Sequence, residues 1–493
     1  MTIQTAISVV VSLSLGMHVT ACASDDAPAP AGEATDGGGT GADGTYTFES
    51  KLETGVSSVS YSGQIARHLL IADLTTFIKG MTEQIDSGTW TPTAAGDVVS
   101  ELDYFLRFDS DADGGSAHKL STTPAAKQVN YEDVSTGKDL ISKLAGRDTA
   151  TDHKNLSEEF AGWSDTAITT NGGALTSPEG LLLAFFSSLE ARAIARSNGD
   201  ISMHDQVELP VYVTPAGQDL AQLTQKFLLV AITYHQATDD YLDSDVADKG
   251  LQRSNVTPEE GKPYTQLEHA WDEAFGYFGA ARDYAAYTDD EVAAAGGRDD
   301  WQGYHDTDGD GAIDLGSEYC FGAAGNASKR DRGSNPDAAT DFSGDIISGF
   351  VAGRLLIARA VGELNADELA MLESHRDQIV RGWEMAYGAT VVHYINDTLQ
   401  DLGTLGTDEF SFADLAKHWS ELKGFALGFQ FNPRSALTSA QFAQLHTLIG
   451  DAPVFAGDVD GYKADLIAAR GLLQGAFGFA DSNMGDAEGN GGW

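Results

Sequence analysis

The sequence predicts an all-α protein, and three observations support this fold class. From Ser60 onward, apolar residues recur at three- and four-residue spacing, which is the pattern of helices that bury one face. Alternating apolar and polar stretches are rare, and Val207–Thr214 is the only good strand candidate. Helix-start signals recur, such as a capping serine before a first-turn proline at Ser177-Pro178. A bundle of helices is therefore the expected architecture.

Nine segments carry the helical pattern strongly enough to be placed individually. We predict helices at Tyr61–Thr82, Pro178–Ser197, Asp219–Leu242, Tyr264–Tyr284, Gly344–Gly362, Ala366–Leu402, Phe412–Leu427, Ser439–Leu448 and Tyr462–Leu473. Two of the later segments begin with sequences that resemble capping boxes, at Ser411 and Thr438. With 42% hydrophobic residues, the chain can bury one large core or two medium ones.

The N-terminal residues have the pattern of a lipoprotein export signal. An apolar run from Ile3 to Thr20 ends in Val-Thr-Ala-Cys, which predicts a signal peptide over residues 1–21 and lipidation of Cys22. Residues 22–46 are rich in Ala, Gly, Asp and Thr and predict a disordered acidic tether. Because Ala23 and not Asp follows the cysteine, we expect an outer-membrane lipoprotein on the periplasmic or cell-surface face, attached to the membrane through its lipid only.

The charge balance limits the class of partner. The formal net charge is −44, from 74 acidic and 30 basic residues, which excludes nucleic acids and anionic membrane surfaces and leaves cations as compatible ligands. A solvated surface suited to saline surroundings is the alternative explanation for this charge. If Cys22 carries lipid, then Cys320 has no intrachain partner, and neither a disulfide nor a thiolate metal site is expected.

A motif of the form Trp-x-Glu-x-x-Gly-aromatic occurs twice. Trp271 and Trp419 are 148 residues apart, and so are Gly276 and Gly424. This constant offset predicts an internal duplication. We expect an N-terminal helical half over residues 47–292 and a C-terminal half over residues 343–493, joined by a Gly- and Asp-rich connection over residues 293–342.

The connection contains a sequence typical of a calcium loop. Asp306, Asp308, Asp310 and Asp314 stand at loop positions one, three, five and nine, and Gly311 stands at position six, where a sharp turn is needed. The predicted calcium ligands are completed by the carbonyl of Ala312 and by Glu318, one place beyond the usual twelfth position. A solvated acidic linker is the alternative, and a second run at 109–115 shares only the first half of the pattern.

Pairs of histidine and carboxylate residues suggest a transition-metal site on the helices. Four pairs share a helix face because their members are three or four residues apart, namely His269 with Glu273, His418 with Glu421, His393 with Asp397, and His235 with Asp239. Facing helices of a bundle can combine such pairs around one ion, and imidazole with carboxylate suits iron or zinc. Surface ion pairs or buried core histidines would give the same spacing.

Several segments resemble a known group of proteins. The lipid-attachment sequence, the residues around Ser60, and the segments 268–279 and 418–433 resemble a family of uncharacterised bacterial lipoproteins that is similar to the imelysin-like proteins. The resemblance implies an envelope protein of two helical bundles that is linked to iron uptake. It also implies metal binding by a Gly-x-His-x-x-Glu motif, which His418 and Glu421 match, although Ala416 replaces the glycine.

Three classes of function agree with these features. The first is a metal-binding protein that assists iron acquisition, with an outer-membrane transport system as its partner. The second is a metal-dependent peptidase of the imelysin type, although neither a Gly-x-Ser-x-Gly elbow nor a His-Glu-x-x-His helix is present. The third is a calcium-stabilised surface protein that binds another protein. A binding role is favoured over catalysis because no general base and activated water can be assigned.

Overall fold

The computed structural model describes residues 44–109, 118–147, 153–164 and 175–493. The predicted signal peptide, Cys22 and most of the tether lie outside these ranges, and so does the second aspartate-rich run beyond Asp109. The described residues are mostly helical, which confirms the all-α fold class. Within these ranges, no helix has the length and apolar character needed to cross a membrane.

The helices of the described residues are numbered in chain order. The α-helices are α1 (Ser62–Asp86), α2 (Val99–Leu106), α3 (Leu156–Glu159), α4 (Pro178–Ser197), α5 (Leu220–Leu228), α6 (Gln266–Phe278), α7 (Asp289–Val292), α8 (Gly322–Arg332), α9 (Phe342–Arg359), α10 (Ala366–Gly403), α11 (Phe412–Ala426), α12 (Ser439–Ile449) and α13 (Val459–Phe477). Two π-helical segments follow α5, at Leu229–Tyr234 and Gln236–Tyr241. Short 3-10 turns occupy Tyr131–Asp133, Ile141–Lys143, Gly250–Gln252, Tyr284–Ala286, Pro336–Ala338, Leu427–Phe431 and Asp481–Asn483.

All nine predicted segments contain helices, and two further helices of eight or more residues were missed. These are α2 and α8, of which α8 lies inside the predicted connection. The sequence of α8 contains glycine, asparagine and serine, which are weak helix formers. Its buried apolar face consists of Ala323, Ala324 and Ala327, so packing against neighbouring helices stabilises a segment with little amphipathic signal.

The segment from α5 through the π-helices lies at the centre of the molecule. Residues 217–243 are buried with the exceptions of Gln225 and Lys226, as expected for a helix surrounded by others. The hydroxyls of Thr233 and Thr238 donate to backbone carbonyls four residues earlier. These bonds satisfy the two buried hydroxyls within the segment itself.

The predicted strand at Val207–Thr214 is largely absent. Within this segment the regular strand is Val207–Glu208 (β2), which pairs antiparallel with Met203–His204 (β1), and Val213 adds an isolated bridge to Asp219. Pro210 has no backbone N–H to donate, so the strand ends before it.

A buried ion network joins α6, α9 and the segment that precedes α1. Arg354 of α9 is fully buried, and its guanidinium donates to Asp272 at 2.8 Å and to Glu268 at 3.1 Å. It also donates to the Ser58 hydroxyl at 2.7 Å, and the Tyr46 hydroxyl donates to Asp272 at 2.8 Å. Burial lowers the pKa of Arg354, but the two carboxylates outweigh burial and raise the pKa overall.

Replacing Arg354 should destabilise the fold more than replacing an exposed arginine of the same helix. Arg354→Met leaves two buried carboxylates without their cation, and we expect it to lower the free energy of unfolding by about 3–5 kcal/mol. The matched control is Arg359→Met, because Arg359 is exposed at the end of α9, and its effect should stay within about 0.5 kcal/mol. Urea unfolding of both variants measures the difference, and equal stabilities would show that the network contributes nothing net.

Candidate functional site

The two Trp-x-Glu segments lie on α6 and α11, where both tryptophans are fully buried. The indole of Trp271 donates to the carbonyl of Phe350 at 2.9 Å, and that of Trp419 donates to the carbonyl of Ile449 at 3.3 Å. Each buried indole N–H therefore has a backbone acceptor from another helix, so both residues serve packing.

In the first copy, the motif faces α1. Glu273 accepts a hydrogen bond from Gln64 at 2.8 Å, and a Cβ at Gly276 would lie only 2.9 Å from the Cβ of Gln64. The predicted ligand His269 has its Nδ1 3.1 Å from the Ser60 carbonyl and its Nε2 3.8 Å from Glu273. This His/Glu pair is held by backbone and side-chain partners on one side of α6.

In the second copy, the same positions face α5. Glu421 lies 3.3 Å from the ammonium of Lys226, and a Cβ at Gly424 would lie 2.6 Å from the Cβ of Lys226. In the second copy the glutamate and the glycine both meet Lys226, whereas in the first copy a Cβ on the glycine would lie even closer to Tyr61, at 2.6 Å, than to Gln64. The glycine is needed for this close approach of the helices, which gives the repeated motif a packing explanation.

The remaining predicted ligands meet between α10 and α11. One carboxylate oxygen of Asp397 lies 3.3 Å from Nε2 of His393 and 3.8 Å from Nε2 of His418. The other ring nitrogen of His418 lies 2.8 Å from Asp401, an arrangement that orients imidazole ligands in metal sites. We call His393, Asp397 and His418 the α10–α11 cluster.

The two imidazoles of this cluster have opposite pKa shifts. Burial, with a further contribution from the positive charge of Arg330, lowers the pKa of His393 to about 2, so this ring is neutral at physiological pH. Burial also lowers the pKa of His418, but the hydrogen bond to Asp401 and the charge of Asp397 outweigh it and raise the pKa. A neutral ring offers a lone pair, and a protonated ring must lose a proton before it can bind a metal.

The predicted calcium loop is folded around its own carboxylates. Asp306 accepts hydrogen bonds from the backbone amides of Gly309 and Gly311, each at 2.8 Å, and both glycines have positive φ, +70° and +87°. The buried Glu318 accepts from the amides of Thr307 and Asp314, each at 2.8 Å. Asp306, Asp308 and Glu318 come together in this loop, and calcium binding there stays a prediction.

A lysine from outside the loop neutralises part of its charge. The ammonium of Lys127 lies 2.9 Å from Asp308 and 2.8 Å from Asp310. Hydrogen bonds to these carboxylates raise the pKa of Lys127. Ala312, whose carbonyl is a predicted ligand, donates its amide to Asp310 at 3.0 Å. Any ion that uses both carboxylates must displace the lysine.

Two groups in the described ranges bring three ligand atoms within 4.8 Å of one another. One is Asp306, Asp308 and Glu318 of the loop. The α10–α11 cluster is looser and is not among them.

The second tight group, which sequence reasoning missed, is His153 with Asp243 and Asp245, whose carboxylates each lie 3.5 Å from His153. Arg434 already pairs with Asp243 at 2.8 Å, so a protein cation occupies the space between these carboxylates. The dense acidic run after the π-helix was a visible signal, but His153 lies about ninety residues away in sequence, and spacing alone does not connect them.

A family model for a domain of unknown function, DUF4856, matches residues 43–292, half of the chain. The chain belongs to the DUF4856 family. No curated protein and no solved structure matches it. His269 and Glu273 lie inside the DUF4856 match, whereas the calcium loop and the α10–α11 cluster lie beyond its end.

One further buried carboxyl lies in the part of the chain beyond the DUF4856 match. Glu384 of α10 is 3% exposed, and one of its oxygens accepts from the amide of Ala436 at 2.9 Å. Its other oxygen is buried without a hydrogen-bond partner among the described residues. Burial raises the pKa of Glu384 to about 7, so this carboxyl group is protonated and uncharged below pH 7.

The pH dependence of stability should reveal the Glu384 proton. Because the pKa is about 7 in the fold and about 4.5 in the unfolded chain, the native state binds the extra proton between these values. The stabilisation is complete below pH 4.5 and is lost as pH rises through 7, by about 3 kcal/mol. Urea unfolding from pH 5 to 8 should show this decline for the unaltered protein and a flatter profile for Glu384→Gln. Glu373→Gln, on the same helix, should keep the decline, and identical slopes for all three proteins would refute the assignment.

Proposed function

We propose that this protein is a metal-binding lipoprotein of the bacterial outer membrane that assists the acquisition of iron. The observation that carries the proposal is the α10–α11 cluster, in which two imidazole nitrogens approach the same oxygen of Asp397 at 3.3 and 3.8 Å. Residues 25 positions apart in sequence, His393 and His418, meet only because α10 and α11 pack together.

The donor set of the cluster fits a transition metal. Two imidazole nitrogens with one carboxylate oxygen suit iron or zinc, whereas calcium avoids imidazole. Asp401 orients His418 through the ring nitrogen that would not bind the metal. Asp397, His393 and His418 would hold the ion. Burial raises the pKa of Asp397, and the negative charge of Glu421 adds to this rise.

Export and lipidation at Cys22 complete the proposal, because iron capture for an outer-membrane transport system requires a protein outside the cytoplasm. Calcium is proposed as a second, structural ion, held by the loop at 306–318. The loop supports this role with oxygen ligands only, the type that calcium prefers. The connection that contains the loop also contributes α8 to the core, so an ion there would stabilise the fold.

Zinc binding tests the α10–α11 cluster. In excess calcium, which keeps the loop occupied, titration calorimetry of chelator-treated protein should show one zinc site that is lost in His418→Ala and His393→Ala. Asp401→Asn should weaken it about 10–100-fold, because Asp401 only orients a ligand.

His375→Ala is the matched control for these variants, since His375 lies on the same helix about 27 Å from His393. It should bind zinc like the unaltered protein. Zinc affinity that is the same in His418→Ala and in the unaltered protein would disprove the proposed site.

Calcium binding to the loop should be limited by Lys127. Lys127→Ala frees Asp308 and Asp310, so calcium should bind this variant more tightly, while Asp308→Ala should lose binding. At a concentration one hundred times the dissociation constant, calcium should stabilise the unaltered protein by about 2.7 kcal/mol, measured as a rise in melting temperature. Asp299→Ala, an exposed carboxylate outside the loop, is the control. A melting temperature that responds neither to chelator nor to Asp308→Ala would exclude the loop as a calcium site.

A further inference from the structure

A cavity of about 620 Å³ lies between the N-terminal part of α9 and the segment that runs from the 3-10 turn Tyr284–Ala286 into α7. Its volume falls within the range of ~300–1,000 Å³ that is common for small-molecule sites in proteins. The exposed residues Ala285, Thr288 and Ser348 belong to its lining, so the cavity opens to solvent. Neither the α10–α11 cluster nor the predicted calcium ligands contribute to this lining.

Part of the lining is apolar. Ile347 and Val351 stand four residues apart on α9, so they lie on one face of the helix. Val292 at the end of α7 is buried and adds to this apolar surface, and Tyr284 and Tyr287 add aromatic rings. Such a surface suits the hydrocarbon part of a ligand, because both lose contact with water when the ligand binds.

The polar part of the lining contains carboxylates and no lysine, arginine or histidine. Asp289 of α7 and Asp341, the N-cap residue of α9, both line the cavity. Ser343 lies between them, since its hydroxyl donates to Asp289 at 3.1 Å and it is the second residue of the helix that Asp341 caps. Its amide donates to a third carboxylate, that of Asp331, at 2.7 Å. Negative charge is therefore concentrated on one side of the cavity.

The charge of Asp289 has no counterion in the described part of the chain. Its neighbour Asp290 pairs with Arg332, whereas no ion pair reaches Asp289 itself. Burial, together with the negative charges of Asp331 and Asp341, raises the pKa of Asp289 to about 6. The carboxylate is ionised at pH 7 and above, and a cation in the cavity would relieve the cost of this ionisation.

The lining fits an organic cation better than a metal ion. A calcium ion takes about six to eight oxygen ligands that converge on one point. Within the described ranges, the tight groups of three ligand atoms are those of the loop and of His153, and the cavity carboxylates are not among them. Asp331 already accepts from the amides of Phe342 and Ser343, one with each oxygen. An ammonium group on a hydrocarbon chain, by contrast, matches both the carboxylates and the apolar surface.

We propose that this cavity binds a small organic cation, an ammonium group on a short aliphatic chain, through the carboxylates of Asp289 and Asp341. The hydroxyl of Ser343 holds Asp289 in place, and the aliphatic chain packs on Ile347 and Val351. The site takes no residue from the α10–α11 cluster, so it stands or falls separately from the proposed metal function.

Titration calorimetry of the full chain with n-hexylamine tests the site. A salt concentration of ~0.15 M screens loose association of the amine with the acidic surface. The matched uncharged probe is 1-hexanol, which should bind at least tenfold more weakly. Asp289→Asn and Asp341→Asn should each weaken amine binding about tenfold, because each removes one charge contact. Asparagine is also a good N-cap residue, so α9 keeps its start in Asp341→Asn. Melting temperatures of the same samples verify that both variants are folded.

Asp337→Asn is the matched control, because Asp337 is an exposed carboxylate shortly before α9 that does not line the cavity. It should bind hexylamine like the unaltered protein, and so should His418→Ala. Equal affinity for the amine and the alcohol would show that the cavity does not recognise charge. Displacement of the amine by an equal concentration of calcium would show a metal site instead. Either result would overturn the proposed site, as would amine binding that is unchanged in both Asp289→Asn and Asp341→Asn.

Discussion

The fold depends on the buried contact between Arg354 and the carboxylates of α6. A charge inside a protein is tolerated only when opposite charges and hydrogen bonds surround it, so this contact fixes the position of α6 against α9 and of the segment before α1 against both. The same α6 carries the first Trp-x-Glu motif. Asp272 therefore serves the ion network, while Glu273, one residue later, faces α1.

Basic residues are few in this acidic chain, and two of them lie between neighbouring carboxylates. Lys127 bridges carboxylates of the loop, and Arg434 pairs with Asp243 near the π-helix. Each neutralises a carboxylate cluster that local repulsion would otherwise open. Arg330 differs because, among the described residues, the charges of Asp397, Glu421 and Asp331 act on it without a hydrogen bond to its Nε.

Local sequence patterns predicted the positions of most of the long helices, but they did not predict contacts between residues far apart in sequence. The bounds of α4 match the prediction at both ends because a cap and a first-turn proline mark its start and the apolar spacing stops at Ser197. The helix α8 was missed because alanine gives little amphipathic contrast. Spacing brought Asp306 and Glu318 into one loop, but the approach of Lys127 to that loop and of Arg330 to His393 depends on tertiary packing.

π-helical turns lie between Leu229 and Tyr241 in the central helix. The number of residues in this helix is therefore itself constrained. Each successive residue of an α-helix advances by about 100°, so a change of one residue rotates every later side chain to another face. Asp243 lies just beyond this segment and must face Arg434. A single-residue deletion between these points would therefore misdirect a buried carboxylate even if every remaining residue were unchanged.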